Sequence, residues 1–294
     1  MSTICLTAGS VTARFEPGAG MIGTSLTDEG VELLGQGKGL QRYVDAGELF
    51  GLPILHPWAN RLGEFRYTAE GRDVSLAPDQ RGICTDENGL VIHGLLAGYP
   101  GWHVEKLTDD EVIAGLDFGS DPALLAGFPY PHQVSMRITL RDRTLTVATT
   151  VVATSDVPVP LCFGFHPYLT IPGVPRPEWV LELPRMRHLA LDELLLPTGE
   201  HAEQPATVGI LGNAVYDDSF DEVTDGAVFA VSGGGRRIEV RFESGYPGAQ
   251  IYAPSHLDVV CFEPMAAPTD ALRRGGYRSA LPGEPVEATF SIRV

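Results

Sequence analysis

Hydrophobic and polar residues alternate one by one along several stretches of the chain. Residues 134–141, 237–243 and 287–294 place apolar side chains at every second position, with charged or hydroxyl-bearing residues between them. A period of two puts successive side chains on opposite faces of a β-strand, so each stretch predicts a strand with one buried and one solvated face. Residues 144–154, a β-branched run, predict a further strand. Such one-sided strands are typical of antiparallel sheets.

Helical periodicity is weak along the whole chain, and only residues 121–126 predict about one helical turn. The 34 glycines and 23 prolines supply turns between short strands. Strand-like patterns resume on both sides of the loops at 78–89 and 172–178, so neither loop resembles a linker between domains. The sequence therefore predicts an all-β fold, a single antiparallel β-sandwich domain spanning residues 1–294.

Composition restricts the partners of this domain. The 294 residues are 44% hydrophobic and 20% charged, as in an ordinary soluble globular protein, and their net charge of −17 repels nucleic acids and anionic membranes. The N-terminal segment lacks the pattern of a signal peptide, and no apolar run approaches the roughly 18 residues of a membrane span. The four cysteines are scattered, which favours reduced thiols and a cytoplasmic location. We expect no nucleic-acid partner and no membrane partner.

Two apolar runs end on a titratable residue followed by proline: L-C-F-G-F-H-P-Y-L at 161–169 and D-V-V-C-F-E-P at 258–264. In an extended strand, His166 would share a face with Gly164, which would leave open space for a ligand beside the imidazole. The proline after His166 and the proline after Glu263 predict that both strands end there.

The two terminal side chains, His166 and Glu263, are the components of a general acid–base pair. A carboxylate among apolar neighbours has a raised pKa, which suits proton transfer near neutral pH. A single histidine or glutamate before a proline is nevertheless more often a hydrogen-bonded structural residue. The local pattern therefore leaves the catalytic and the structural interpretation open.

Six blocks, taken in order, resemble the aldose 1-epimerase (galactose mutarotase) family, and the resemblance covers about residues 45–294. The blocks are L-P-I-L-H-P-W-A-N-R-L-G (52–63), V-I-H-G-L-L (91–96), F-P-Y-P-H-Q-V-S-M-R-I-T-L (128–140), L-C-F-G-F-H-P-Y-L (161–169), L-L-P-T-G-E (195–200) and F-E-P-M (262–265). An isolated H-G or H-P carries no weight, whereas six blocks in order are specific. The resemblance implies a large twisted antiparallel β-sandwich, in agreement with the strand pattern.

The resemblance also implies an activity, the interconversion of the α and β anomers of a hexose without cofactor or metal. His166 matches the general acid that protonates the ring oxygen, and Glu263 matches the base that takes the proton of the anomeric hydroxyl. The remaining matched positions imply contacts to the sugar: Asn60, Arg61, His93, Asp218 and Gln250. Asp217 and Asp221 are alternatives to Asp218 as the acidic residue that binds sugar hydroxyls.

Each matched binding residue has a structural alternative. Arg61 could pair with surface acids, His93 could be packed in the core, and Asp218 could belong to a turn. The other six histidines are interpreted as structural or surface residues with no metal-site spacing: His56, His103, His132, His188, His201 and His256.

The substrate predicted from these positions is a neutral hexose such as galactose or glucose. Arg61 is the one basic residue assigned to the site, whereas a sugar phosphate would be expected to require two or more. The alternatives are a hexose-6-phosphate 1-epimerase, a non-catalytic carbohydrate-binding protein and a sugar-cleaving enzyme. Against the last of these, the sequence offers no second catalytic carboxylate to pair with Glu263. His56 and Met265 depart from the family pattern, and both could alter which hydroxyl stereochemistry is accepted. A monomer and a homodimer are equally compatible with the sequence.

Overall fold

Strands dominate the computed structural model, which describes residues 3–294. Residues 1 and 2, included in the domain and signal-peptide predictions, lie outside this range. The strands are β1 (Ile4–Ala8), β2 (Val11–Glu16), β3 (Ile22–Asp28), β4 (Val31–Glu32), β5 (Ile54–Leu55), β6 (Arg61–Leu62), β7 (Arg66–Ala69), β8 (Arg72–Ser75), β9 (Cys84–Thr85), β10 (Val91–Ile92), β11 (His103–Leu107), β12 (Glu111–Asp117), β13 (His132–Arg141), β14 (Thr144–Ala153), β15 (Val159–Leu161), β16 (Gly164–Phe165), β17 (Tyr168–Leu169), β18 (Val180–Leu183), β19 (Met186–Leu191), β20 (Pro197–Gln204), β21 (Thr207–Ile210), β22 (Tyr216–Asp221), β23 (Ala227–Gly233), β24 (Arg236–Ser244), β25 (Gly248–Ala253), β26 (Val260–Met265), β27 (Arg278–Ala280) and β28 (Val286–Arg293).

The helices are short. They are α1 (Gly39–Ala46), α2 (Pro122–Gly127) and α3 (Ala271–Arg274), with 3₁₀ turns at Pro17–Ala19, Phe118–Ser120 and Arg176–Glu178. Within residues 3–294, no helix has the length and apolar character needed to cross a bilayer.

Two large antiparallel sheets make up most of the molecule. The nine-stranded sheet has the order β11-β12-β13-β14-β28-β24-β23-β18-β21. The eight-stranded sheet has the order β20-β19-β22-β25-β26-β16-β5, and its eighth strand, β17, also pairs with β26. The strands β1 to β4 form a separate four-stranded sheet, and β6, β10 and β9 form a three-stranded one.

The apolar faces of the two large sheets pack against each other. Phe165 of β16 meets Phe290 of β28 with ring centroids 4.8 Å apart, and Phe229 of β23 meets Phe262 of β26 at 5.5 Å. All four rings are at most 1% exposed, and each buried aromatic side chain contributes roughly 1.5–3 kcal/mol of transfer free energy. This packing confirms the predicted all-β sandwich. The prediction of a single domain stays a prediction.

The alternating stretches form the strands that they predicted, and their apolar residues face the core. β13, β14, β24 and β28 coincide with the four predicted strands to within two residues, and α2 confirms the predicted helical turn at 121–126. The eight-residue helix α1 was not predicted. The reason is that Tyr43 is its one buried residue, while Leu40 and Val44 point to solvent, so the helix has no continuous apolar stripe.

The run 161–169 does not form the single strand that its alternation predicted. β15 pairs with β27 in a small separate sheet, whereas β16 joins the large sheet between β26 and β5. The predicted open space beside Gly164 is also wrong. A Cβ at Gly164 would lie 2.6 Å from the carbonyl oxygen of Pro264 and 3.0 Å from the Cβ of Ala59, so this face is filled by the neighbouring chain.

The predicted end of the second run at Pro264 is wrong as well, because β26 continues through this proline to Met265. β25 pairs with β26 continuously along one side. On the other side, β17 pairs as far as Cys261 and β16 resumes pairing at Met265. A proline in a central strand is tolerated at such an interruption of the ladder, since it has no N–H to donate.

Candidate active site

A cleft of about 250 Å³ opens over the interrupted side of β26, where His166 lies between β16 and β17. It contains six of the seven residues predicted for the site. Its walls are formed by Leu49, Asn60, Arg61, Asp86, Glu87, Ile92, His93, His166, Tyr168, Asp217, Gln250, Tyr252 and Glu263.

His166 and Glu263 meet at the floor of this cleft, although 97 positions separate them in the sequence. His166 Nε2 lies 3.2 Å from Glu263 Oε1, and the two side chains are 7% and 2% exposed. Among residues 3–294, neither His166 Nδ1 nor Glu263 Oε2 has a hydrogen-bond partner. Buried polar atoms are normally satisfied, so these two atoms point to a ligand or a water molecule as their partner.

Aromatic neighbours fix the orientation of the His166 ring. Tyr168 stacks on it with centroids 4.3 Å apart and an interplanar angle of 5°, and the Tyr168 hydroxyl lies 3.4 Å from His166 Nε2. Tyr252 and His93 contact it edge-on. The backbone N–H of His166 donates to the carbonyl oxygen of Pro53. The imidazole is therefore held in place before any ligand arrives.

Burial drives the pKa values of the central pair in opposite directions. It raises the pKa of the Glu263 carboxyl well above its ordinary value, and the charge of Asp217 adds to this rise while Arg61 opposes it. Burial also lowers the pKa of His166 well below its ordinary value, with a further contribution from His93. Both shifts favour the uncharged forms. These shifts favour a resting pair in which Glu263 is a carboxylic acid and His166 is a neutral imidazole. The pair then has one transferable proton, and Glu263 holds it.

Arg61 lies in the cleft wall and does not pair with surface acids. Its Nε donates to Asp86 Oδ2 at 2.6 Å, its Nη1 to Asn60 Oδ1 at 3.2 Å and its Nη2 to Asp217 Oδ2 at 3.5 Å. The Arg61 side chain is 7% exposed and that of Asp86 is 3% exposed. The guanidinium is consequently matched by acceptors from three different segments of the chain.

Asn60 and His93 both adopt the left-handed backbone conformation, with φ of 57° and 65°. Few residues other than glycine do so. A hydrogen bond from the His93 N–H to the Asn60 carbonyl oxygen, 3.1 Å long, joins the two. Burial lowers the pKa of His93 to about 3, so its ring is neutral, and its Nδ1 has no partner among residues 3–294.

Gln250 of β25 is paired directly across the ladder with Glu263 of β26. Its amide nitrogen donates to Asp217 Oδ1 and its amide oxygen accepts from the Ser219 hydroxyl, both at 2.5 Å. The side chain of Gln250 is thus oriented by β22, and it places an amide next to the carboxyl group of the pair.

Asp218 does not line the cleft. Neighbouring residues of β22 point to opposite faces of the sheet, so Asp217 faces the cleft while Asp218 accepts a hydrogen bond from His188 Nε2 at 2.9 Å. The acid that β22 contributes to the cleft wall is therefore Asp217, one of the alternatives that the sequence offered, rather than Asp218.

Several cleft residues were missed by the sequence analysis. Tyr168 had a usable signal, because it lies two positions after His166 in the same block and hence on the same face. Asp86 had none, since the loop 78–89 shows no periodicity. Asp86 Oδ1 accepts the N–H groups of Asn88 and Leu90, each at 2.9 Å, which closes the loop into a tight turn against Arg61.

The six remaining histidines lie away from the cleft. His56 and His132 form a buried pair with their Nε2 atoms 2.8 Å apart, His188 is half-buried, and the others are exposed: His103, His201 and His256. No three His, Cys, Asp or Glu side chains within residues 3–294 gather in a metal-binding arrangement.

Comparison with known families identifies the class of protein to which this fold and cleft belong. The family model for aldose 1-epimerases matches residues 3–293, so the chain belongs to the aldose 1-epimerase family. This confirms the resemblance carried by the six sequence blocks.

Individual relatives are distant. The protein YihR of Escherichia coli (strain K12) is 23% identical over 232 residues, which are 76% of this chain and 71% of YihR. A galactose mutarotase-like protein from Clostridium acetobutylicum has a TM-score of 0.83 at 20% identity, covering 98% of this chain and 93% of its own. A galactose mutarotase related enzyme from Lactobacillus acidophilus has a TM-score of 0.81 at 16% identity, covering 99% and 97%. At such identities the structural likeness establishes the fold.

Proposed function

We propose that the protein is an aldose 1-epimerase, an isomerase that interconverts the α and β anomers of a neutral hexose such as glucose or galactose. The observation that carries this proposal is the convergence of His166 and Glu263 in one cleft, with their side-chain atoms 3.2 Å apart. Membership of the aldose 1-epimerase family supports the same reaction class.

The reaction is a pair of proton transfers. Glu263 as carboxylate removes the proton of the anomeric hydroxyl, while protonated His166 donates a proton to the ring oxygen, and the bond between the anomeric carbon and the ring oxygen breaks. Rotation about the bond between the first two carbons exposes the other face of the aldehyde. The proton transfers then run in reverse, so atoms and charges balance over the cycle.

The resting pair already holds the one proton that the reaction needs, and the proton has to move from Glu263 to His166. Burial opposes the resulting charges, whereas the nearby Arg61 guanidinium stabilises the Glu263 carboxylate. The hydroxyl groups of a bound sugar, which donate to the carboxylate, act in the same direction.

The remaining cleft residues are proposed to hold the sugar. Asn60, Arg61, His93 and Gln250 present amide, guanidinium and imidazole groups to the cleft. Asp217 takes the hydroxyl-binding role that the sequence had assigned to Asp218. The Tyr168 and Tyr252 rings offer apolar surface against which a sugar ring can pack.

Polarimetry of freshly dissolved α-D-glucose and α-D-galactose tests the proposal. We expect acceleration by the wild-type protein and a loss of about 10²- to 10⁴-fold in both His166→Ala and Glu263→Ala. His256→Ala and Glu200→Gln, substitutions of exposed residues outside the cleft, serve as matched controls. Wild-type rates in both cleft variants would end the assignment, and sugar binding without acceleration would favour a non-catalytic carbohydrate-binding protein. A preference for glucose 6-phosphate would replace the neutral substrate by a phosphorylated one.

A further inference from the structure

Carboxyl groups outnumber cations in the cleft. Four of them, on Asp86, Glu87, Asp217 and Glu263, line it against the single guanidinium of Arg61. Both cleft histidines, His93 and His166, are neutral because burial lowers their pKa values. Even with Glu263 protonated, three carboxylates face one cation. The cleft is therefore negative in every protonation state that the mechanism uses.

The one cation is already paired with acceptors of the cleft wall. Nε, Nη1 and Nη2 of Arg61 each have an acceptor already, on Asp86, Asn60 and Asp217. A phosphate or carboxylate on the sugar would compete with these acceptors for the guanidinium and would face the surplus of negative charge. Anion recognition by arginine is strongest through two parallel N–H groups, and on Arg61 one N–H of each nitrogen is already bonded within the protein.

Glu87 carries the uncompensated charge. Its neighbour Asp86 is fixed by Arg61 and by the turn to Leu90, so the backbone that presents Glu87 is anchored to the cleft wall. Within residues 3–294, the Glu87 carboxylate has no hydrogen-bond or ion-pair partner. It lies close enough to Asp217 for its charge to add to the burial that raises the pKa of Asp217. A carboxylate without a counterion at a ligand cleft favours a cation on the ligand.

A second observation places a ligand next to these charges. Glu263 Oε2 lines the same cleft, is buried, and has no partner within residues 3–294. A polar ligand that fills the cleft would satisfy this oxygen and would come to lie between Glu263 and the acidic rim formed by Glu87 and Asp217.

We propose that Glu87, together with Asp217, makes this cleft selective for hexoses that carry an ammonium group, the amino sugars, over neutral hexoses and strongly against sugars with an anionic substituent. This inference rests on the proposed epimerase function and concerns the same site, but it makes an amino sugar, in place of the neutral hexose, the preferred substrate. Glu87 acts as a specificity-determining residue and takes no part in the proton transfers.

The test compares sugars that differ in charge. The acceleration of mutarotation over the uncatalysed rate is measured for D-glucosamine, D-glucose, N-acetyl-D-glucosamine and D-glucuronate, at a pH where the amine is protonated. We expect kcat/KM for glucosamine to exceed that for glucose by about fivefold at low salt. This ratio corresponds to about 1 kcal/mol, the interaction energy of two opposite charges in contact with water. High salt should reduce the ratio, because Glu87 is exposed.

Substitution of Glu87 makes the test specific. Glu87→Gln should abolish most of the preference for glucosamine over glucose, and Glu87→Lys should raise the relative rate with glucuronate. Glu200→Gln, at an exposed position on β20, is the control and should leave the ratio unchanged. A ratio at or below one in the wild type, or a ratio insensitive to Glu87→Gln, overturns the inference.

Binding measurements separate this inference from the proposed function. If no sugar shows accelerated mutarotation, the epimerase proposal fails, and calorimetric titration with glucosamine and glucose still decides the selectivity. Tighter binding of glucosamine that weakens in Glu87→Gln supports the inference, whereas equal binding of the two sugars overturns it.

Discussion

At the scale of single residues, the behaviour of Glu263 depends on two neighbours of opposite charge. Burial raises the pKa of its carboxyl, Asp217 adds to the rise, and Arg61 opposes it. Asp217 and Arg61 also contact each other, with Nη2 and Oδ2 3.5 Å apart. The charge on either side chain therefore changes the pKa of the proposed base, Glu263, although neither side chain takes part in the proton transfer.

This arrangement predicts a shift in the pH profile of Asp217→Asn. Removal of a negative charge beside Glu263 lowers its pKa, so the basic limb of kcat/KM for glucose mutarotation, along which the pair loses its one proton from Glu263, should move to lower pH. Asp218→Asn is the matched control, since the same side chain one residue away points to His188 and should leave the limb in place. An unmoved limb in Asp217→Asn, or an equal movement in Asp218→Asn, would contradict this role for Asp217.

Asp217 and Asp218 also show what the sequence alone does not determine for single residues, namely which of two neighbouring acids faces the cleft. The composition of the segment offers Asp217, Asp218 and Asp221 as candidates, and alternation shows only that neighbours face opposite ways. Which of them faces the cleft is set by the register of β22 against β25, in which Asp217 is opposite Tyr252. That register depends on contacts between segments far apart in the sequence.

At the scale of elements, the active pair is positioned by the contact of β16 with β26. Gly164 is opposite Met265 in this ladder, and its missing side chain allows the two backbones to approach closely. His166 lies two residues beyond Gly164, and Glu263 lies two residues before Met265. The geometry of the pair is thus tied to one close backbone contact.

We predict that Gly164→Ala disrupts both stability and activity. The added Cβ would lie 2.6 Å from the Pro264 carbonyl oxygen, a backbone atom, so the strands must separate. We expect a loss of about 1–3 kcal/mol in the free energy of unfolding. A fall in kcat of tenfold or more is also expected, since a displacement of about 1 Å can cost about 10²-fold.

Urea unfolding and polarimetry measure these two effects. Gly209→Ala is the matched control, because an added Cβ on β21 would meet no atom within 4 Å. A Gly164→Ala protein as stable and as active as the wild type would show that this contact does not set the geometry of the pair.

Elements with regular alternation were predictable from the sequence, and interrupted ones were not. β13, β14 and β24 alternate between buried and more exposed residues along their whole length, and β28 does so except at the buried Ser291, so local pattern suffices to define them. The run 161–169 changes sheets between β15 and β16, and this depends on its pairing partners β27 and β26. Local pattern contains no information on such partners.

At the scale of the whole molecule, Asp28 connects the N-terminal sheet to the nine-stranded sheet. It lies at the end of β3 and accepts hydrogen bonds from Arg143, in the turn between β13 and β14, and from Arg236 at the start of β24. The Asp28 side chain is 5% exposed. These contacts lower its pKa from 3.8 to about 2, the Arg143 hydrogen bond being the largest cause.

This ion-pair cluster predicts a stability that depends on pH. Because the folded-state pKa is below the unfolded value, the contribution is present in full above about pH 4 and is lost as the pH falls towards 2. A shift of this size corresponds to about 2 kcal/mol. Asp28→Asn should therefore lower the free energy of unfolding by about 2 kcal/mol at pH 7, and the difference from the wild type should shrink towards pH 2.

Urea unfolding at several pH values checks this prediction. Asp110→Asn, which removes an exposed pair with Arg141, should change stability much less. A constant difference between Asp28→Asn and the wild type down to pH 2 would exclude the ion pairs as its cause.

The central claim is that His166 and Glu263 act as one unit on a single sugar ring. The most direct measurement is the polarimetric rate for α-D-glucose in His166→Ala, Glu263→Ala and the double variant. Residues that act as a unit are not additive, so the double variant should be no slower than the slower single variant within a few-fold. Rates in which the two losses multiply, or single variants that retain wild-type activity, would contradict the account.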